Sequence, residues 1–412
     1  MESNMDFPKR QGWNRPVEFL FAIIGYSVGM GNIWRFPYTC YESGGGAFIL
    51  AYLIMWTFCG VPLLYMELAI GQYTRLGPLG AMEKLCPLFK GAAAGSVVVV
   101  AISRTLYMVI IVWPFYYLFN SFNQEFPWSR CGHDWNTQYC VDTKDIAGKS
   151  VEIIGVFFLK VHVLQITSGI DDFGTVRWEF ALILLLTWIL IYFSAFKGTK
   201  SVGKSNVVYV TVLFPYIVLI LMIIRGFTLP GSYEGLLFLF TPKWYRLTEP
   251  QVWIHAAATN FFSLGIGGGG YLARTHGKPF EKIVTSGIEL VFIVFPEIFT
   301  TMPLSQLMSV LFFLMIITLA FDTMLVGPEI CVTAITDRFK KLPRKEILYA
   351  IACILFYCLG LPTIAQGGIY YFALLDYYLS FGSSVSFAFF EIVAVSWFYG
   401  RKFDVSISQH FL

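Results

Sequence analysis

Charge is what this sequence has least of. Asp, Glu, Lys and Arg make up 13% of its 412 residues, about half the ~25% of a soluble domain. Hydrophobic residues make up 57%, and the mean hydropathy is +0.65. The net charge of +3 is too small to suggest a nucleic-acid partner, and no basic patch interleaved with aromatics occurs. Five scattered histidines form no cluster. Metal-ligand spacings, a Ser/His/Asp arrangement and a phosphate-cradling loop are all missing, which leaves an enzyme without machinery. There is no cleavable leader, because the first sixteen residues are polar and hold Lys9, Arg10 and Arg15. Eight cysteines are too few for a disulfide framework in a chain of this length, and six lie in or beside apolar runs. Cys131 and Cys140 differ, since both sit in the polar stretch Ser121–Val176. If that stretch is extracellular, oxidising conditions favour a bridge between them.

Long apolar runs fill the rest of the chain. About 20 apolar residues cross a bilayer as a helix. Nine runs approach that standard: Val17–Tyr38, Ala47–Ile70, Ala93–Phe119, Phe180–Phe196, Val207–Ile224, Val252–Ala273, Leu307–Ile335, Leu348–Leu361 and Tyr370–Tyr399. A tenth, Ile283–Met302, is poor because Glu289, Pro296 and Glu297 fall inside it. The expected fold is an all-α integral membrane protein of nine to ten spans. Loop lysines and arginines set the orientation. With the N-terminus cytoplasmic, Arg75, Lys84, Lys90, Lys197, Lys200 and Lys204 fall inside, and Ser121–Val176 faces out. The basic group Arg338, Lys340, Lys341, Arg344 and Lys345 should also lie inside. That requires two crossings between Lys282 and Arg338, of which only Leu307–Ile335 is strong; Ile283–Met302 would have to supply the other.

Two spans contain sequences that should not persist as plain helix. The first reads GYSVGMGNIWRFPY from Gly25 to Tyr38, and the sixth reads FFSLGIGGGGY from Phe261 to Tyr271. Glycine permits unwinding, and unwound backbone at membrane depth is tolerated only around a cavity. Freed carbonyls there can hold a dehydrated cation, and paired broken helices in two halves of a chain point to a transport site. Close-packing glycines between helices are the plainer alternative. Asp322 lies within the apolar run LMIITLAFDTMLVG and is followed by Thr323. A carboxylate and a hydroxyl make half of an oxygen site for a hard cation; a structural carboxylate bonded to a neighbouring helix is the other reading. Arg35 with Asp376, and Arg10 with Asp337, could pair at the two ends of a pathway.

From GNIWRFPYTCYESGGGAF onward the chain resembles the neurotransmitter:sodium symporter family, solute carrier family six. The likeness continues through GVPLLYMELAIGQY, WPFYYLFNSF, CGHDWNTQYC, FFSLG, FPEIFTTMP and AVSWFYG, and covers most of Trp13 to Phe403. The resemblance implies an inverted-repeat transporter fold with broken first and sixth helices in a single domain spanning 1–412. Residues 1–225 would form the first repeat, with the outer loop at 121–176, and 250–400 the second. One sodium ion would be held by the Ser27 carbonyl, Asn32 and Ser263. A second would be held by the Gly25, Val28 and Leu319 carbonyls with Asp322 and Thr323. Chloride would lie near Tyr52 and Ser263. Tyr107 and Phe262 would line and cap the substrate pocket together with Ser27, Gly29 and Ser263. Arg35–Asp376 and Arg10–Asp337 match the outer and inner gate pairs.

Gly29 narrows the substrate. Monoamine carriers of the family have aspartate there; amino-acid carriers have glycine, which leaves room for the substrate's own carboxylate. With no anionic side chain in the first break, an amine-only substrate would enter unpaired. Four departures from the family pattern stand out. Thr259 replaces a chloride-binding glutamine, Arg104 is charged where the family is not, and ARTHGKPF ends the sixth span. Between Ser286 and Gly287 the seventh helix, with one sodium and two chloride ligands, is missing, so the second repeat is incomplete; the last two helices are missing as well. The expectation is a plasma-membrane, sodium-coupled and chloride-dependent symporter of a small neutral amino acid or amino-acid neurotransmitter, not an enzyme. The bilayer and the solute would be its partners, with oligomerisation left open. The competing expectation is a shortened, non-transporting form that acts through partner binding.

Overall fold

The computed structural model describes residues 24–25, 27–29, 31–74, 76–136, 154–195, 206–229, 232–264, 290–339, 342–380 and 382–399. The described residues are helical throughout, joined by turns and one isolated bridge between Val176 and Ala365. In chain order the helices are α1 (Gly31–Glu42), α2 (Gly46–Thr74), α3 (Pro78–Leu85), α4 (Lys90–Tyr107), α5 (Val109–Asn120), α6 (Trp178–Ala195) and α7 (Asn206–Gly226). There follow α8 (Ser232–Phe240), α9 (Pro250–Leu264), α10 (Phe295–Thr300), α11 (Ser305–Arg338), α12 (Lys345–Gly360), α13 (Gly368–Ser380) and α14 (Gly382–Val393). Five helical stretches are long and apolar enough to cross a membrane: Gly46–Thr74, Pro87–Asn120, Trp178–Ala195, Ser305–Thr336 and Lys345–Ile364. Each contains one of the apolar runs, or nearly all of it.

These helices are apolar on every side. α6 exposes Leu182, Leu186 and Ile189, α7 exposes Ile217 and Ile220, and α12 exposes Ile351, Ile354 and Leu355. In water such faces would be a liability; in a bilayer they meet their own kind. α2 passes through a π turn at Trp56–Gly60 just before Pro62. Proline has no N–H to give the preceding turn, and a wider turn absorbs the mismatch.

Aromatic side chains dominate the main core. Trp113 and Tyr117 of α5, Phe158, Phe292, and Phe299, Phe312 and Phe313 of α10 and α11 are all buried in it. The Tyr117 ring lies 5.1 Å from Phe313 and 5.3 Å from Phe158, centroid to centroid. A second, smaller cluster of Cys40, Phe48, Ala51, Val252 and Ala256 joins α1, α2 and α9. Its corner is the turn Ser43–Gly44–Gly45. Gly44 and Gly45 have φ of 99° and 68° there, conformations that side chains resist. A Cβ on Gly46 would stand 2.5 Å from the Leu239 carbonyl oxygen at the end of α8.

The run Ile283–Met302 is described only in part. Of it, residues 290–302 are described, and only Leu290–Thr300 is helical, eleven residues. That is roughly 16 Å of helix, about half a bilayer core. Pro296 and Glu297 follow closely on a π turn at Leu290–Val294, whose wider winding accommodates the N–H that Pro296 lacks. The segment packs on the layer formed by residues 121–176. Tyr117 Oη–H donates to Phe292 O at 2.9 Å, Trp128 Nε1–H to Pro296 O at 3.1 Å, and Ile293 presses on Gly155. The second crossing required by the basic group near Arg338 therefore falls outside the described residues.

α5 and α11 meet at one end of the molecule. The Ser121 and Ser309 hydroxyls are 2.7 Å apart, and Gln306 Nε2 donates to Asn123 O at 2.9 Å. Lower down, the Arg104 stem of α4 lies against Gly327 of α11, where an added Cβ would come within 2.9 Å of Arg104 Cγ. The pair is therefore antiparallel. From Arg104 to Ser121 is seventeen residues on one side, and from Ser309 to Gly327 eighteen on the other, so a single register holds along the seam.

Candidate functional site

The first predicted break is present. Ile24, Gly25 and Ser27 are helical, Val28 and Gly29 leave regular helix, and α1 starts at Gly31. The Val28 N–H still reaches Ile24 O at 2.8 Å, and the Asn32 N–H picks up Gly29 O at 3.1 Å. Across this gap the Asn32 side-chain amide donates to the Ser27 carbonyl at 3.1 Å. Two of the three ligands expected for the first sodium ion are thus neighbours. The third, Ser263, is the penultimate residue of α9, whose helix ends at Leu264. The glycine run predicted to break the sixth span lies in 265–271, outside the described residues.

α11 faces the same gap. Thr323 Oγ1 donates to the Leu319 carbonyl at 3.2 Å, and a Cβ on Gly29 would approach that hydroxyl oxygen to 3.1 Å. Gly29 of the break therefore meets Thr323 and the Leu319 carbonyl of α11. Any side chain at position 29, an aspartate included, would crowd the Thr323 hydroxyl. The Asp322 backbone belongs to the same turn of α11; its side chain lies outside the described residues.

Tyr52 of α2 and Ser263 of α9, the expected chloride pair, share a side-chain hydrogen bond. Beside them is a residue that sequence reasoning missed. Asn260 is 2% exposed; its amide nitrogen donates to Tyr52 O at 3.0 Å and Ala256 O at 2.9 Å. Two carbonyls fix which end of the amide is nitrogen, and leave Asn260 Oδ1 buried with no hydrogen-bond donor. Thr259, noted only as a substitution, donates its hydroxyl to His255 O at 2.7 Å. The signal that could have found Asn260 was an amide in the middle of an apolar helix.

Tyr107, expected in the substrate pocket, packs edge-on against Phe372 of α13 with centroids 5.6 Å apart. Its hydroxyl donates to Asp376, the residue expected in the outer gate. Arg35 lies on α1, its carbonyl accepting from Thr39 Oγ1 at 2.8 Å. Arg10 and Cys140, and the side chains of Phe262 and Asp337, lie outside the described residues.

Outside the spans, His162 anchors the loop layer. Its ring is 3.0 Å from Tyr116 Oη and stacks near Trp135, and Arg177 Nη1 donates to its carbonyl at 2.7 Å. Burial and then the Arg177 charge push its pKa below the ordinary value; Glu179 opposes them.

An all-helical chain with several bilayer-length apolar helices is a multi-pass membrane protein. A profile of the Sodium:neurotransmitter symporter family matches residues 10–275 and 269–410. The mouse "Sodium- and chloride-dependent GABA transporter 2" is 36% identical over 444 residues, covering 95% of this chain and 73% of that protein. The human "Sodium- and chloride-dependent taurine transporter" is 37% identical over 448 residues, covering 95% and 72%. The Drosophila melanogaster "Sodium- and chloride-dependent GABA transporter ine" is 38% identical over 444 residues, with 47% of its length covered. The chain belongs to the sodium:neurotransmitter symporter family. It is not an enzyme.

The matches also bear on the interruption seen in the sequence. An alignment of 444 positions exceeds the 412 residues available, so at least 32 positions have no counterpart in this chain. The family profile divides at residues 269–275, close to the expected junction.

Proposed function

We propose that this protein binds sodium and a small neutral amino acid or amino-acid neurotransmitter at the break in its first span, and carries them together across the plasma membrane. The observation that carries this reading is the meeting of Gly29 with Thr323 above the Leu319 carbonyl. It sets the backbone of the break against a hydroxyl and a carbonyl of α11, and leaves little room for a larger, amine-binding side chain at position 29. Asn32 beside the Ser27 carbonyl supports the first sodium site, with Ser263 as its further ligand. Gly25, Val28, Leu319, Asp322 and Thr323 hold the second. Tyr52 and Ser263, already hydrogen-bonded to each other, hold chloride. The relatives named for GABA and taurine transport support this solute class. The N-terminus is cytoplasmic. Arg35–Asp376 and Arg10–Asp337 close the two ends of the pathway. Cys131 and Cys140 form a bridge in the outer loop, a reading supported by Cys131 being disulfide-bonded and by six free thiols elsewhere.

A second reading is favoured by the interruption near residues 269–286: binding persists, but the chain transports poorly without a helix restored there. One preparation tests both. Purified protein in detergent is melted in sodium chloride and in the chloride salt of an inert organic cation, with glycine, GABA, taurine or dopamine added. Sodium should raise the melting temperature, the amino acids should raise it further, and dopamine should not. Asp322→Ala should abolish the sodium shift, since carbonyls and one hydroxyl cannot replace its charge. An undiminished sodium shift in that variant, or a response to dopamine alone, would overturn the reading. Reconstituted in liposomes, the same protein should take up little amino acid; robust uptake would discard the second reading.

A further inference from the structure

The pocket tyrosine is already occupied. Tyr107 ends α4, three residues beyond Arg104, while Thr323 precedes Gly327 by four residues on antiparallel α11. The register along this seam sets Tyr107 level with Thr323, and Thr323 touches the space above Gly29. Tyr107 therefore stands at the height of the break. Its ring is held edge-on by buried Phe372, and its hydroxyl points one helical turn further along α13, to the Asp376 carboxylate.

A phenol has one proton to donate. Donation to a carboxylate is among the stronger hydrogen bonds a protein makes. A substrate carboxylate or sulfonate arriving beside Gly29 seeks the same kind of donor. Both anions cannot use one proton, and at a few ångströms they repel each other. From this geometry we infer that Asp376 is a resident competitor of the substrate's acidic group, acting through Tyr107. Substrate binding requires the Tyr107 hydroxyl to leave Asp376, and this removes one tie between α13 and α4 while the Tyr107–Phe372 ring contact stays. Occupancy of the pocket is thereby coupled to the element that carries the outer-gate carboxylate. An amine without an acidic group has nothing to offer the Tyr107 hydroxyl and leaves the Tyr107–Asp376 bond closed. Asp376 is in this sense a positioning residue that sets affinity for the solute's acidic end.

The inference rests on the transporter reading above, and the experiment separates the two. Affinities of the intact chain for glycine, GABA and taurine are read from melting-temperature titrations in sodium chloride. Asp376→Ala removes the competitor and should tighten binding by roughly tenfold, the weight of one charge-assisted hydrogen bond. Asp376→Glu, which keeps the carboxylate, should bind like the parent. Tyr107→Phe should bind more weakly, and adding Asp376→Ala to it should change little, because the contested proton is gone. If Asp376→Ala does not fold, Asp376→Asn, a neutral and weaker acceptor, should give an intermediate gain. Unchanged or weaker binding in the folded Asp376 variants, or an equal gain in the Tyr107→Phe background, would overturn the inference alone. Absence of any sodium-dependent amino-acid response in the parent would overturn both.

Discussion

Two hydrophobic bodies divide the labour of this molecule. The large core around Tyr117, Phe292 and Phe313 is aromatic, closely interlocked and tied into the loop layer by Trp128 and Ser121. The small cluster around Phe48 holds α1, α2 and α9 with five buried residues, three of them alanine or cysteine. Tyr52 packs against the small cluster, while Leu319 belongs to the large one and Val28, Ile33 and Tyr107 pack against it. The proposed site lies where a heavily packed body meets a lightly packed one. Groups on the light side have fewer buried contacts to lose in a shift than groups on the heavy side.

This contrast can be broken from either side. The largest effect should come from Phe313→Ala, which opens a cavity in the aromatic core at a cost of about 3–5 kcal/mol. Its melting temperature should fall steeply while the sodium-induced increment survives. Phe48→Ala should cost less, toward the lower end of that range, but should reduce the sodium increment. Equal sodium increments in the two variants would show that the bodies are not functionally distinct. Asn260→Leu gives a smaller effect, confined to the light side. It loses two donated hydrogen bonds, to Tyr52 O and Ala256 O, worth about 1–2 kcal/mol together, and denaturant unfolding should register that loss. A gain in stability would mean that relief of the buried Asn260 Oδ1 outweighs both bonds.

The smallest effect concerns the loop layer that caps the heavy side. The His162 pKa in the folded protein lies below its unfolded value of ~6.5, so the unfolded chain binds more protons between the two. The stability that neutral His162 contributes is complete above the unfolded value and is lost as pH falls through the folded one. The melting temperature should therefore drop as pH falls below the unfolded value of ~6.5 and through the folded one, and drop less in His162→Gln. Parallel pH profiles would remove His162 as the cause.

Much of this was legible in the sequence because a bilayer leaves few choices. Apolar runs of the right length become helices, and glycines with Asn32 inside one of them mark a break. The interruption at Val28 and Gly29, just before Asn32, falls inside the run where the glycines set it. The remainder depends on contacts that no local pattern carries. Tyr107 and Asp376 are 269 residues apart. Asn260 looked like one more residue of an apolar run until its carbonyl partner on α2 was known. Leu290–Thr300 shows what a poor span can do instead. Pro296 and Glu297 are penalised inside a span exposed to lipid, and here they sit in a helical stretch that packs on protein through Phe292 and Pro296.

The glycine turn that begins α2 acts on all of this as a shim acts in a joint. Only hydrogen fits between Gly46 and the Leu239 carbonyl at the end of α8, with 2.5 Å left for a Cβ. α8 leads through Pro242 and Trp244–Thr248 directly into α9. A single methyl at position 46 would be a wedge at the short arm of a lever whose long arm ends at Asn260 and Ser263. The placing of Asn260 and Ser263 is thus set from Leu239, 21 and 24 residues earlier in the chain, by the thickness of a backbone that has no side chain.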